Sequence, residues 1–327
     1  MRLHLFFEVD SVFLTYTIYH DRIHGVTFIS YDGVPTTDSH TLLSLARLYS
    51  SLNVSSPQSL SPPHRIFFPS IPTFTEPRPN PDDESILRHR SYIGVPPETF
   101  KAAYPSLAGA QFSEDFADFA GISLPVVLDR VVVADRGAAR HAGLPHGEPA
   151  WEMPFTSLRA SEDWFEPMRK ALSECLFGVD ESAGADALSG NALTPAITYL
   201  ARQDGAEGER LRAEDHLALL EALESLARTG VKVFVLDEYA TWTERMRALA
   251  QSTIVLSLFG DHLSDAVFMK RTARSTLVEI FPPGEFNRNW ATVVRSMGIR
   301  YVAWQGNQYV HGFPLPPHPP GYDGVLN

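Results

Sequence analysis

The sequence predicts an α/β fold in two domains, with a doubly wound parallel sheet in the second. Three observations predict it. The chain has 327 residues, more than one hydrophobic core usually serves. From Pro195 onward, short apolar runs alternate with amphipathic helical segments. Those runs are apolar throughout, as strands covered by helices on both faces must be. In such sheets the ligand site lies beyond the carboxyl ends of the strands.

In the first half, short apolar runs are separated by proline-rich connectors. The segments Ser55 to His64 (SSPQSLSPPH) and Glu76 to Glu84 (EPRPNPDDE) cannot be helix interiors, because proline lacks the amide donor and clashes with the preceding turn. They read as surface loops. The run Val126 to Asp135 (VVLDRVVVAD) is β-branched and reads as a buried strand. A helix-like run from Met168 to Phe177 carries Cys175 as a buried small hydrophobe. The Gly/Ala/Ser segment between Phe177 and Pro195 reads as an interdomain linker.

The second half is regular. AITYLAR (Ala196 to Arg202) is a strand, and the following helix aligns Leu217, Leu220, Leu223 and Ala227 before Gly230 stops it. VKVFVLD (Val231 to Asp237) is a strand, WTERMRALAQ (Trp242 to Gln251) a helix, and TIVLSLF (Thr253 to Phe259) a strand. A helix-compatible HLSDAVFMKR follows, then the strand STLVEIF (Ser275 to Phe281). A helix closed by Gly298 and the strand IRYVAW (Ile299 to Trp304) complete the pattern.

Composition narrows the function classes. Acidic residues exceed basic ones, 39 to 27, for a formal charge of −12. Such a chain repels phosphate backbones and anionic lipid heads, and no run of Lys and Arg offsets this, so nucleic acid is not an expected partner. The single cysteine allows no intrachain disulfide. The N-terminal segment is apolar but carries Arg2, His4, Glu8 and Asp10, without the layout of a signal peptide. It reads as a chain that begins inside a domain. No D-x-D motif and no Cys/His cluster of ligand spacing occurs, so no metal and no other cofactor is expected.

Several residues are candidates for chemistry. The loop FGDHLSDA, Phe259 to Ala266, lies at a strand-to-helix junction, where backbone amides and the helix dipole attract an anion. Capping by Asp261 is the equally plain alternative. FGDHLSD also differs by one residue from an esterase nucleophile block, but His262 stands where the serine nucleophile belongs. Glu279 lies inside an apolar strand near its carboxyl end, where it suits a ribose diol or a satisfied structural role. Arg202 follows the first strand of the second half, and its planar fork suits a diphosphate, with Arg210 and Arg212 nearby. His4 and Glu8 would neighbour one another on a helical face and could form a proton-accepting dyad, although such pairs are commonly surface pairs. Asn53-Val54-Ser55 is a glycosylation sequon in a polar, proline-flanked segment.

The blocks ITYLARQ, AEDH, QSTIVLSLFGDHLSDAVFMKRTARSTLVEIFPPG and IRYVAW, in this order, resemble the fungal branch of glycosyltransferase family 61. LDRVVVADRGAAR (Leu128 to Arg140) and HLFFE resemble the same family, whose N-terminal element reads H-x-x-x-D/E. Its relatives include the EGF-domain O-GlcNAc transferase and the plant xylan xylosyl- and arabinosyltransferases. The resemblance implies a GT-B fold, two Rossmann-like domains facing a cleft. It implies an acceptor-side domain over residues 1–177, a linker over 178–194, and a nucleotide-sugar domain with a proline-rich tail over 195–327. It further implies inverting, metal-independent transfer of GlcNAc or a pentose from a UDP-sugar to a glycan or glycoprotein hydroxyl. Glu8 matches the base, His4 the preceding histidine, Arg202 the phosphate arginine, and Glu279 the ribose glutamate.

The family loop usually reads H-G-x-G-L-T, and here it reads Phe259-Gly260-Asp261-His262-Leu263-Ser264. Gly260, Leu263 and the hydroxyl of Ser264 are kept. An imidazole in place of the second glycine either blocks the approach of a phosphate or supplies the positive charge that the loop's own histidine would have carried. The altered loop keeps open a second class of function, a family member that binds nucleotide or glycan without transfer. Members of the family work in the endoplasmic reticulum or Golgi lumen behind an N-terminal anchor, and no anchor is read in this chain. The oligomeric state is not legible in the sequence.

Overall fold

The computed structural model describes residues 21–30, 39–55, 61–72, 76–79, 86–89, 97–121, 126–134, 153–156, 158–178, 195–203, 209–282, 285–306 and 308–310. It is an α/β structure built on two parallel sheets.

The first sheet has the order β5-β2-β1-β6, all parallel. Its strands are β1 (Asp21–Ser30), β2 (Pro63–Phe67), β5 (Gly109–Gln111) and β6 (Val126–Ala134). Of these only β6 is read from the sequence, because its β-branched run is long enough to stand out. The helices α1 (Ser39–Ser55), α2 (Pro97–Ala103) and α3 (Ser113–Gly121) accompany them. Parts of both proline-rich segments differ from their reading as loops, and residues 56–60 and 80–84 lie outside the described residues. Pro63 opens β2, a position that needs no ladder amide. Glu76–Pro79 forms β3, paired antiparallel with β4 (Ile86–His89). Pro77 and Pro79 alternate along β3, so their missing amides fall on one side of a two-stranded ribbon. Asn53 lies in the last turn of α1 rather than in a loop.

The second sheet has the order β12-β11-β10-β9-β7-β8. The strands β7 (Ala196–Leu200), β8 (Lys232–Leu236), β9 (Ile254–Leu258), β10 (Thr276–Phe281) and β11 (Arg300–Gln305) are parallel. A short antiparallel β12 (Gln308–Val310), not read from the sequence, covers the far edge. The chain leaves β7 outward to β8, then crosses back past β7 to β9. The topological switch therefore lies between β7 and β9.

The remaining helices are α4 (Met153–Thr156), α5 (Glu166–Phe177), α6 (Ala213–Arg228), α7 (Trp242–Gln251) and α8 (Asn289–Ser296). On α6 the inward stripe differs from the predicted one. Leu223 is 4% exposed, with Leu219 and Leu220 partly buried beside it, whereas Leu217 is 64% exposed. His216 also faces the sheet, its Nδ1 3.1 Å from the Tyr199 hydroxyl on β7. The segment after β9 is a 3-10 helix, Asp261–Phe268, rather than an α-helix.

Helix α5 joins the two halves. It packs against α2 and α7, and one continuous apolar cluster runs from Phe28 and Leu45 through Phe165 and Leu172 to Met246, Leu277 and Trp290. Its buried stripe is Met168, Arg169, Leu172 and Leu176. Cys175 falls outside that stripe and is exposed, not the buried hydrophobe its surroundings suggest. Arg169 is buried, and its Nε donates to the Val267 carbonyl at 2.8 Å, tying α5 to the 3-10 helix. Among the described residues, no helix is long and apolar enough to cross a membrane.

Candidate functional site

The carboxyl ends of β7, β8 and β9 carry a connected group of polar side chains. Strand register assembles it. Leu200 of β7 pairs with Leu236 of β8, and Arg202 and Glu238 each lie two residues beyond those paired ends. They therefore emerge side by side, and Arg202 Nε sits 3.6 Å from Glu238 Oε1. On its other side Leu200 pairs with Ser257 of β9, whose hydroxyl donates to the Leu200 carbonyl at 2.7 Å. The guanidinium thus stands at the switch point, 32% exposed, while the Glu238 side chain is 23% exposed.

His262 reaches back from the 3-10 helix into this group. Its Nε2 lies 2.8 Å from Ser257 Oγ, and its Nδ1 lies 3.3 Å from Arg202 Nη1. The donor inventory fixes the tautomer. The one Ser257 proton is already given to Leu200, so Nε2–H donates to Ser257 Oγ; Arg202 has no acceptor, so Nδ1 accepts from it. Burial and then Arg202 hold the imidazole far below its ordinary value, down to about 3; the Leu258 backbone opposes them, and Arg245 adds the smallest effect. His262 is therefore neutral at ordinary pH. In this arrangement the ring carries no positive charge, and its Nδ1 lone pair faces Arg202. It holds Arg202 in place.

Gly260 makes room for this arrangement. Its φ of 141° and ψ of 175° lie in a region open essentially to glycine, and a Cβ there would stand 3.0 Å from His262 Nδ1. Trp290 Nε1 donates to the Gly260 carbonyl at 3.0 Å and fixes the loop from α8. Gly260, not Asp261, occupies the N-cap position of the 3-10 helix. Ser264 is half-buried in the same helix. The structure also adds a second arginine, Arg245 of α7, whose Nε donates to Asp265 Oδ2 at 3.1 Å. Burial raises the Asp265 carboxyl above its ordinary range, and Arg245 opposes that shift.

Glu279 has a different setting. It is 0% exposed, and its Oε2 accepts from the Tyr301 hydroxyl at 2.7 Å. It shares the inward face of β10 with Leu277 and Phe281. In this structure it is a buried carboxylate held by Tyr301 and out of contact with solvent. His4 and Glu8 lie outside the described residues, and so do residues 135–140 of the upstream block. The described residues hold no group of three or more metal-ligating side chains.

Sequence reasoning found Arg202, Gly260 and His262, and missed Glu238, Ser257 and Arg245. The signal for Glu238 is its position two residues past a strand end, as for Arg202; recognising it requires knowing that β7 and β8 pair in that register.

No family model matches the chain and no curated protein matches it, so the resemblance to glycosyltransferase family 61 stands on the quoted residues. Among solved structures the chain is similar to the E. coli ADP-heptose LPS heptosyltransferase II, at 12% identity and a TM-score of 0.36. That match covers 85% of this chain and 90% of the other.

Proposed function

We propose that this chain is a nucleotide-sugar-dependent glycosyltransferase of the GT-B kind, with its donor diphosphate bound at the switch point of the second sheet. The observation that carries this reading is the delivery of Arg202 to the carboxyl ends of β7 and β9, beside the Gly260 turn. Its Nε edge faces Glu238 and its Nη1 faces His262, and among the described residues nothing engages Nη2. A guanidinium so held is preorganised for an anion and stabilises the charge of a leaving diphosphate. In the full proposal the donor is a UDP-sugar carrying GlcNAc or a pentose, and the acceptor is a hydroxyl of a glycan or glycoprotein in the endoplasmic reticulum or Golgi lumen. Glu8, four residues after His4 in the sequence, takes the acceptor proton, and a single in-line displacement inverts the anomeric centre without a metal.

The test is thermal unfolding with UDP in the absence and presence of Mg²⁺. At a hundredfold excess over Kd, UDP is expected to stabilise the fold by about 2.7 kcal/mol without metal. No shift, or a shift only with Mg²⁺, overturns the proposal. A second reading, a nucleotide binder that transfers nothing, is favoured by one observation: the His262 ring fills the space beside Gly260 that the family pattern leaves to a second glycine. Release of UDP from a UDP-sugar by the intact protein separates the two.

A further inference from the structure

We infer that Glu238 is the carboxylate that receives the ribose hydroxyls of the bound nucleoside diphosphate. This rests on the proposed diphosphate site at Arg202 and adds the part of the ligand next to it. Glu279, the carboxylate that the sequence offers for this role, is closed off beneath Tyr301. Glu238 stands instead at the end of the neighbouring strand, partly open to solvent and sharing the crevice with Arg202.

The chemistry follows from the donor count. An ionised carboxylate only accepts hydrogen bonds, and here its nearest cation is 3.6 Å away, a loose pairing rather than a bidentate one. A diphosphate arriving at Arg202 would meet this negative charge at close range. A ligand that carries a vicinal diol on the sugar next to its diphosphate offsets this, because the diol donates to the carboxylate oxygens while the diphosphate engages the guanidinium. A nucleoside diphosphate is such a ligand, with the diol on the sugar adjoining the phosphates. Carboxylates at strand ends of doubly wound sheets hold ribose hydroxyls in this way. Glu238 would therefore make the site selective for ribonucleotides.

The experiment measures binding of UDP, 2′,3′-dideoxy-UDP and inorganic pyrophosphate to the full chain and to Glu238→Gln, with melting curves to check that the variant is folded. The wild type is expected to prefer UDP over the dideoxy compound by about tenfold or more, as for hydrogen bonds to a charged group. Glu238→Gln is expected to lose that preference while binding pyrophosphate at least as well. If the wild type binds the two nucleotides equally, or if Glu238→Gln keeps the preference, the inference is wrong. If Glu238→Gln binds UDP and pyrophosphate more tightly by the same factor, Glu238 is only the counter-ion of Arg202, and the diphosphate site survives without the ribose contact. If the wild type binds neither UDP nor pyrophosphate, the proposed function falls together with the inference.

Discussion

At the scale of single residues, His262 shows how an imidazole can serve a cationic site without being charged. Its two nitrogens are committed, one to Ser257 and the other to Arg202. Burial first, and then the Arg202 guanidinium against which protonation would set an Nδ1–H, hold the ring neutral down to about pH 3. The unfolded chain, with an ordinary value near 6.5, takes up the proton first as the pH falls. Stability contributed by the neutral ring is therefore complete above pH 6.5 and is lost progressively toward pH 3, with a slope of at most about 1.4 kcal/mol per pH unit. His262→Gln should lack this component. Urea unfolding of both proteins from pH 7 to 4 checks it, and parallel pH profiles would show that the imidazole titrates normally.

At the scale of elements, helix α5 is the joint between the two sheets, and a buried arginine fastens it. Arg169 donates to the Val267 carbonyl and to Glu166 at 2.8 Å each, and its guanidinium lies over the Phe165 ring. Burial lowers its pKa and Glu166 opposes that shift. Arg169→Met keeps the aliphatic stem but leaves the Val267 carbonyl unanswered, which should cost about 1–3 kcal/mol of stability. Because Val267 is in the same 3-10 helix as His262, the variant is also expected to weaken UDP binding. Equal unfolding free energies for the two proteins, from denaturant titration, would show that α5 is held by its apolar stripe alone.

At the scale of the whole molecule, the described residues of the proposed donor site all belong to the second half of the chain, whereas the proposed base lies near the N-terminus of the sequence. Binding and chemistry should therefore separate. Glu8→Gln is expected to lower turnover by about a hundredfold or more while UDP affinity stays unchanged. A parallel loss of UDP binding would assign Glu8 a structural role instead. Single-turnover sugar transfer beside a UDP titration measures both quantities.

The sequence by itself determined the alternation of strands and helices in the second half, because apolar runs between amphipathic segments permit no other economical burial. It also determined that Arg202 and the Gly260 loop lie at strand ends, since those positions follow directly from where the apolar runs stop. Most strands of the first sheet were not legible: Pro63–Phe67 begins on a proline and Gly109–Gln111 is too short to carry a period. Only the tertiary structure decided which carboxylate faces the crevice. Strand alternation turns Glu279 inward beneath Tyr301, while the pairing of Leu200 with Leu236 carries Glu238 to Arg202. It also decided the role of His262, because the two groups that bind its nitrogens come from strand β9 and from beyond the end of strand β7, and Arg202 lies 60 residues away along the chain. Local pattern fixes where a side chain leaves its element, and register between distant strands fixes what it meets.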